Sequence, residues 1–268
     1  MPSPRSAAWN SGDLYEPYVG RWSRRVASAF LAWLALPPGA RWLDCGCGTG
    51  ALAHTLLAEA DPTAVVGVDL AEDYMAYARA HAPDERLTFR IGDVQALDLD
   101  AATFDVAVSG LVLNFVPHPE RMVAEMARVV RPGGVVALYV WDYAGEMQLM
   151  RRFWDAAVAL DPVATERDEG RRVPPLCQPE PLARYFRDAG LHAVTTHALD
   201  VPTVFRDFDD YWTPFLGGQG SAPGYARSLT EKRRAALRER IRATLPVAAD
   251  GSIPLMARAW AVRGMSAS

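Results

Sequence analysis

The sequence predicts an α/β protein built on a doubly wound, mostly parallel seven-stranded sheet with inserted cap segments. Three observations predict it. Short apolar runs alternate with helical stretches at close intervals between residues 41 and 141. The run RWLDC leads directly into GCGTG, with glycines at 46, 48 and 50. Beyond residue 143 the alternation stops, and aromatic and Pro-rich segments separate two last strand-like runs. Strands alternating with helices favour parallel pairing, with helices on both sheet faces.

The elements follow in order. Residues 20–36 form an amphipathic helix closed by Pro37-Pro38-Gly39. A strand over 41–45 enters the glycine loop, and Leu52, Leu56 and Leu57 give the next segment, 51–60, helical spacing. Strands are predicted over 64–69, 87–91 and 104–108, with helices over 72–82 and 119–130. The turn Arg131-Pro132-Gly133-Gly134 precedes a fifth strand, 135–141. Helices over 145–160, 181–189 and 230–245 and strands over 192–201 and 253–262 complete the chain. The expected organisation is an N-terminal helical segment, 1–39, and a ligand-binding core, 40–143. Insertions 144–178 and 206–250 form the cap over one sheet edge, and 179–205 and 251–268 supply the remaining core helix and strands.

Composition narrows the function. Half of the 268 residues are hydrophobic, enough for a substantial core. The formal charge of −4 argues against a broad basic surface for nucleic acid. Three cysteines make no disulfide framework and suit a reducing compartment. The first 18 residues hold no continuous apolar run, so no secretory leader is expected, and the apolar stretch 26–38 is too short and interrupted to span a bilayer. A cytoplasmic protein without membrane insertion is expected.

The glycine loop carries the chemistry. Glycines permit positive φ and let a ligand approach the backbone. The following helix opens with free N–H groups and a positive dipole end. The carboxyl ends of parallel strands are where such folds hold ligands. The glycines alone leave the ligand open, because Gly46, Gly48 and Ala51 also fit a dinucleotide fingerprint, and Asp69 suits a ribose in either case. Asp44, two residues before the first glycine, would repel a pyrophosphate but suits an ammonium or sulfonium charge. Asp93 ends the third strand, where a carboxylate can accept from an exocyclic amine.

At these residues the chain resembles the class I S-adenosylmethionine-dependent methyltransferases. LDCGCGTG resembles the first motif of that family, VVGVDLAEDYM the second, IGDVQALDL the third and FDVAVSGLVLNFVPHP the fourth, while VVRPGG resembles the turn before the fifth strand. The match runs in order over residues 40–142 and is most similar to the small-molecule enzymes of ubiquinone and menaquinone biosynthesis. YEPYVGRWSRRVASAFLAWL is similar to their N-terminal helix.

The resemblance implies a Rossmann-like methyltransferase fold, S-adenosyl-L-methionine as cofactor and a small organic acceptor. It implies that Gly46, Gly48 and Gly50 line the methionine part, with Asp44 near its amino group. Asp69 would hold the ribose hydroxyls, and Leu70 and Tyr74 would pack on the adenine. Asp93 would accept from the adenine amine, and the Val94 backbone would bond a ring nitrogen. Ser109 and Gly110 would border the amino acid part and the sulfonium. Arg21 would pair with the ligand carboxylate, and Tyr15 or Tyr18 would close over it.

Methyl transfer from a sulfonium needs an aligned acceptor and exclusion of water, and an oxygen or carbon acceptor can also need a base. His118, Asp142 and Tyr143 are the catalytic candidates. Ser109-Gly110-Leu111-Val112 departs from the Asn/Asp/Ser-Pro-Pro-aromatic pattern of exocyclic amine methylation, which favours a small acceptor over a nucleic-acid base. Cys45 and Cys47 have no second ligand pair, so they read as buried small residues and no metal is expected; Cys177 reads as a structural thiol. Phe153, Trp154, Phe205, Phe208, Tyr211, Trp212, Phe215 and Tyr225 suit either an acceptor pocket or the core of the cap. Arg151, Arg152, Arg171 and Arg172 read as solvated charges, with an anionic acceptor as the sharper alternative. Two other functions stay open: binding the cofactor without methyl transfer, and a nicotinamide-dependent oxidoreductase.

Overall fold

A computed structural model describes residues 20–82, 84–172, 174–217 and 220–267. Its sheet has seven strands in the order β3-β2-β1-β4-β5-β7-β6. The strands are β1 Arg41–Cys45, β2 Ala64–Asp69, β3 Leu87–Ile91, β4 Phe104–Gly110, β5 Val130–Trp141, β6 His192–Phe205 and β7 Ile253–Met265. β1 to β5 pair in parallel. β7 runs antiparallel to β5: Gly133 N–H donates to Ser266 O, and Asp142 N–H to Arg258 O. All seven predicted strands are present, and the mostly parallel sheet is as expected.

The longer helices are α1 Arg21–Leu34, α2 Ala51–Glu59, α3 Glu72–Ala80, α4 Pro119–Val129, α5 Gln148–Leu160, α7 Pro179–Asp188 and α11 Glu231–Arg242. Shorter ones are α6 Glu169–Arg172, α8 Phe208–Trp212, α9 Pro214–Gly217 and α10 Ser221–Ser228. α1 buries Val26, Ala27, Phe30, Leu31 and Leu34 at helical spacing and stops at Ala35, whose φ is +46°, ahead of the two prolines. α4 and α7 each begin on a proline, which removes only an N–H that has no helical partner.

β4, β5, β6 and β7 run beyond their predicted ends, and for β5 and β6 the physical reason is plain. β5 takes in the Arg-Pro-Gly-Gly turn, because Phe104 pairs with Val130 while Val106 pairs with Val135. The extra residues bulge out of the ladder there, with Gly133 at φ +75°. β6 continues through Pro202, which a strand at the end of the sheet order tolerates.

The chain divides into two compact units. The first, the glycine-loop unit, comprises residues 23–140, 178–199 and 260–268. Its central strands β1, β2 and β4 are buried on both faces, as a sheet covered by helices requires. The second, the aromatic unit, takes in 141–177 and 200–259, with the described residues up to Trp22. Phe153 stacks on Phe215 at 4.6 Å and meets Trp154 edge-on at 5.2 Å. Tyr211 packs against Phe205 and Phe215, and its hydroxyl donates to Leu149 O at 2.8 Å. These five rings are fully buried against one another, so they form the core of the unit.

Candidate functional site

β1 ends at Cys45, and the chain reverses through Gly46 to Gly50 into α2. Gly46 and Cys47 both donate to Val68 O, at 2.7 and 3.1 Å, which ties the turn to β2. Gly46, Gly48 and Gly50 have φ of +74°, +52° and +91°. A Cβ on Gly46 would lie 2.6 Å from Val112 Cγ1, and one on Gly50 3.1 Å from His54 and Phe89. A Cβ on Gly48 would meet nothing within 4 Å. Packing therefore requires glycine at 46, while the side of Gly48 opens onto free space.

Asp69 ends β2 and buttresses this turn. Its Oδ2 accepts from Gly48 N–H at 2.9 Å and its Oδ1 from Ala71 N–H at 2.9 Å. Each carboxylate oxygen keeps further acceptor capacity, so the ribose role is compatible with the structural one. Ser109 is buried, and its hydroxyl donates to Cys45 O at 2.7 Å, which ties β4 to the end of β1. Gly110 is needed where Tyr139 Oη comes close, because a Cβ there would lie 2.5 Å from it. Leu111 follows with φ +64°, a strained conformation at the carboxyl end of β4.

Asp44 is the unusual group. It lies mid-sheet, opposite Gly67 on one side and Val108 on the other, and is fully buried. Neither carboxylate oxygen has a hydrogen-bond partner. Burial, and then the Asp69 charge, push its pKa up to about 8, although the nearby Ala53 N–H pulls it down in part. An unpartnered buried carboxylate is costly unless a ligand satisfies it.

At the end of β3, Asp93 is half-buried and Val94 is buried. Leu70, just past β2, is 67% exposed, and Tyr74, in the first turn of α3, is half-buried. Gln95 donates its backbone N–H to Asp93 Oδ1 at 2.9 Å and its side-chain amide to Oδ1 and Oδ2 at 3.0 and 3.3 Å. Its Oε1 accepts from His118 N–H at 3.0 Å. The sequence reading missed Gln95, although an aspartate followed by a glutamine two residues on is a turn signal. It also missed Asn114, a buried amide in the apolar run LVLNFV whose Oδ1 has no partner.

The three catalytic candidates divide between the two units. His118 belongs to the glycine-loop unit, where its exposed ring faces Glu120 at 3.3 Å. Asp142 and Tyr143 belong to the aromatic unit. The Asp142 carboxylate accepts from the Gly145 and Glu146 N–H groups at 3.0 and 3.1 Å, so it shapes the turn before α5. Tyr143 is buried, with its carbonyl on Arg151. Arg21 also lies in the aromatic unit, paired with Asp210 at 3.0 Å between the Trp22 and Phe205 rings. Tyr15 and Tyr18 lie outside the described residues.

Arg151 proves to be no solvated charge. It binds Asp168 through both terminal nitrogens at 2.8 and 2.6 Å. Glu169 accepts from Trp154 Nε1, and burial pushes its pKa up to about 6. The three cysteines are free and buried, and burial raises all three thiols. Among the described residues, no cluster of three or more His, Cys, Asp or Glu could hold a metal ion, and no helix is long and apolar enough to cross a membrane.

Comparison with known proteins agrees with this corner. Residues 43–138 match the family described as a methyltransferase domain. The chain is 30% identical over 154 residues to the malonyl-[acyl-carrier protein] O-methyltransferase of Methylococcus capsulatus, covering 56% of each. It is 28% identical over 203 residues to the 2-methyl-6-phytyl-1,4-hydroquinone methyltransferase of Synechocystis, covering 73% of this chain and 62% of that one. The chain thus spans between half and two thirds of the length of these relatives. In fold it is similar to Haemonchus contortus phosphoethanolamine N-methyltransferase 2, solved with S-adenosylhomocysteine, with a TM-score of 0.59 at 16% identity, over 96% of this chain and 57% of that one. Over residues 43–138 the chain is therefore similar to the family described as a methyltransferase domain.

Proposed function

We propose that the protein is an S-adenosylmethionine-dependent methyltransferase acting on a small organic acceptor. One observation carries this reading: Asp44 holds two buried, unpartnered oxygens behind a glycine turn whose Gly48 faces open space. A pyrophosphate would meet the Asp69 carboxylate and oppose ionisation of Asp44, whereas a ligand with an ammonium favours the ionised form and supplies its missing partner. The donor set fits the rest of that cofactor. Asp69 would hold ribose hydroxyls, Asp93 the exocyclic amine, the Val94 backbone a ring nitrogen, and Leu70 and Tyr74 the ring faces.

When bound, the cofactor supplies an electrophilic methyl group. The chain's own part is to hold and orient. Asp44 fixes the charged end, the turn through Gly46 and Gly48 lets the backbone close on it, and Asp69 and Asp93 fix the other end. No residue of the glycine-loop unit is assigned as a base apart from the exposed His118 ring. Asp142 is engaged with its own turn, which favours an acceptor that needs little help with its proton, or, as a second reading, binding without transfer. The printed activities of the relatives, on a carrier-bound malonyl group and a hydroquinone, support a small organic acceptor. The acidic charge balance and free buried thiols support a cytoplasmic protein that does not act on nucleic acid.

Calorimetric titration with S-adenosylmethionine, S-adenosylhomocysteine and NADH tests the reading. Micromolar binding of the first two and none of NADH is expected. Binding of NADH alone would overturn it. Formation of S-adenosylhomocysteine in the presence of candidate acceptors then separates transfer from binding alone.

A further inference from the structure

The Gln95 side chain joins two segments that are far apart in sequence. One end of its carboxamide meets the Asp93 carboxylate after β3, and the other meets the His118 N–H at the start of α4. The amide can face only one way. A carboxylate at one end requires the NH2 group there, and a backbone N–H at the other requires the oxygen. The backbone N–H of Gln95 already holds Asp93 Oδ1, so the side-chain amide restrains what remains free, the rotation that sets where Oδ2 points. The bonds to Asp93 are half-buried and partly shielded from competing water, whereas the one from His118 N–H is exposed.

We infer that Gln95 is a positioning residue that aims the Asp93 carboxylate at the exocyclic amine of the cofactor's purine and thereby sets selectivity for adenine over hypoxanthine. The inference rests on the function proposed above. An amine donates to a carboxylate, whereas the carbonyl of hypoxanthine at the same place repels it. A well-aimed Asp93 therefore discriminates between the two bases, and a loosely held one discriminates less. The other arm of Gln95 ties this purine-reading loop to the segment bearing His118.

The measurement is the ratio of affinities for S-adenosylhomocysteine and S-inosylhomocysteine, by calorimetry, in the wild type and in Gln95→Ala and Gln95→Glu. The wild type should prefer the adenine compound, and Gln95→Ala should lower that preference by about three- to tenfold. Gln95→Glu keeps an acceptor for the His118 N–H but loses the donor to Asp93, so it should lose preference as well. In an Asp93→Ala background, Gln95→Ala should change the ratio no further. General loosening of the fold would weaken both ligands alike and leave the ratio unmoved, and that result in both folded variants overturns the inference. A wild type that binds both compounds equally also overturns it while leaving the cofactor reading intact. A wild type that binds neither overturns the proposed function and this inference together.

Discussion

Two aspartates, one in each unit, are buried almost completely and live under opposite conditions. Asp168, in the aromatic unit, is gripped by both terminal nitrogens of Arg151 and by Gly170 N–H at 2.8 Å. Gly170 leaves room for that grip, since a Cβ there would fall 1.9 Å from Arg151 Nη1. Asp44, in the glycine-loop unit, has no hydrogen-bond partner at either oxygen. The difference separates structure from recognition. A satisfied buried carboxyl group holds its own neighbourhood together, whereas an unsatisfied one lowers stability and is explained by what arrives later.

The contrast breaks most visibly at Asp168. Asp168→Ala leaves Arg151 buried without its counter-charge and should cost about 3–5 kcal/mol of stability in urea unfolding. A loss below about 1 kcal/mol would show that the pair is not what holds the aromatic unit. Asp44→Asn should do the reverse. Stability should hold or rise, while S-adenosylmethionine binding weakens by about 2–4 kcal/mol in calorimetry, because the ammonium loses its charged partner. An unstable variant with unchanged affinity would erase the distinction between the two residues.

A pH series sharpens the same contrast. The folded pKa of Asp44 lies near 8, against an ordinary 3.8, so the folded state holds a proton that the unfolded state has lost. Its contribution to stability is therefore greatest at low pH and declines as pH rises towards 8. Glu169 declines in the same direction, but its folded value of about 6 confines it to lower pH. The lowered pKa of His54 acts below its ordinary 6.5. Between pH 7 and 8, a falling melting temperature in the free protein should disappear in Asp44→Asn. Over the same range cofactor affinity should rise in the wild type, as Asp44 ionises to meet the ammonium.

Gly48→Ala probes the smallest difference. A side chain there meets no protein atom, so only backbone strain is expected, about 1 kcal/mol in thermal unfolding. Affinity should fall by more than stability, because the added methyl enters the space left for ligand. Equal losses would mean that position 48 does not face the site.

The strands and the glycine corner were legible because they rest on local signals: apolar runs, turn glycines and acids at strand ends. Asp44 was legible by position, but its isolation was not, since nothing in RWLDCG tells that both oxygens lack partners. Arg171 and Arg172 read as solvated charges, yet the stretch ahead of them holds Asp168, buried, and Glu169, half-buried, both in contact with α5. Those partners lie 15 to 17 residues away across irregular chain, beyond any helical or strand period. Asp142 was named as a candidate base, while the glycine three residues on marks a turn that its carboxylate closes. The bond from the Ser109 hydroxyl to Cys45 O was likewise not legible, since its partner lies 64 residues away on another strand.

The tight seat of Val112 against Gly46 has a bearing on ancestry. The two positions are 66 residues apart, and no bulk can be added at 46 while Val112 stands. A lineage that placed even a methyl at 46 would first have to pass through a smaller residue at 112, so the order of changes is constrained as well as their kind. Reconstructed ancestors of this chain can be judged by that rule, since a sequence that gains bulk at 46 before yielding it at 112 describes a protein whose ligand corner could not have closed.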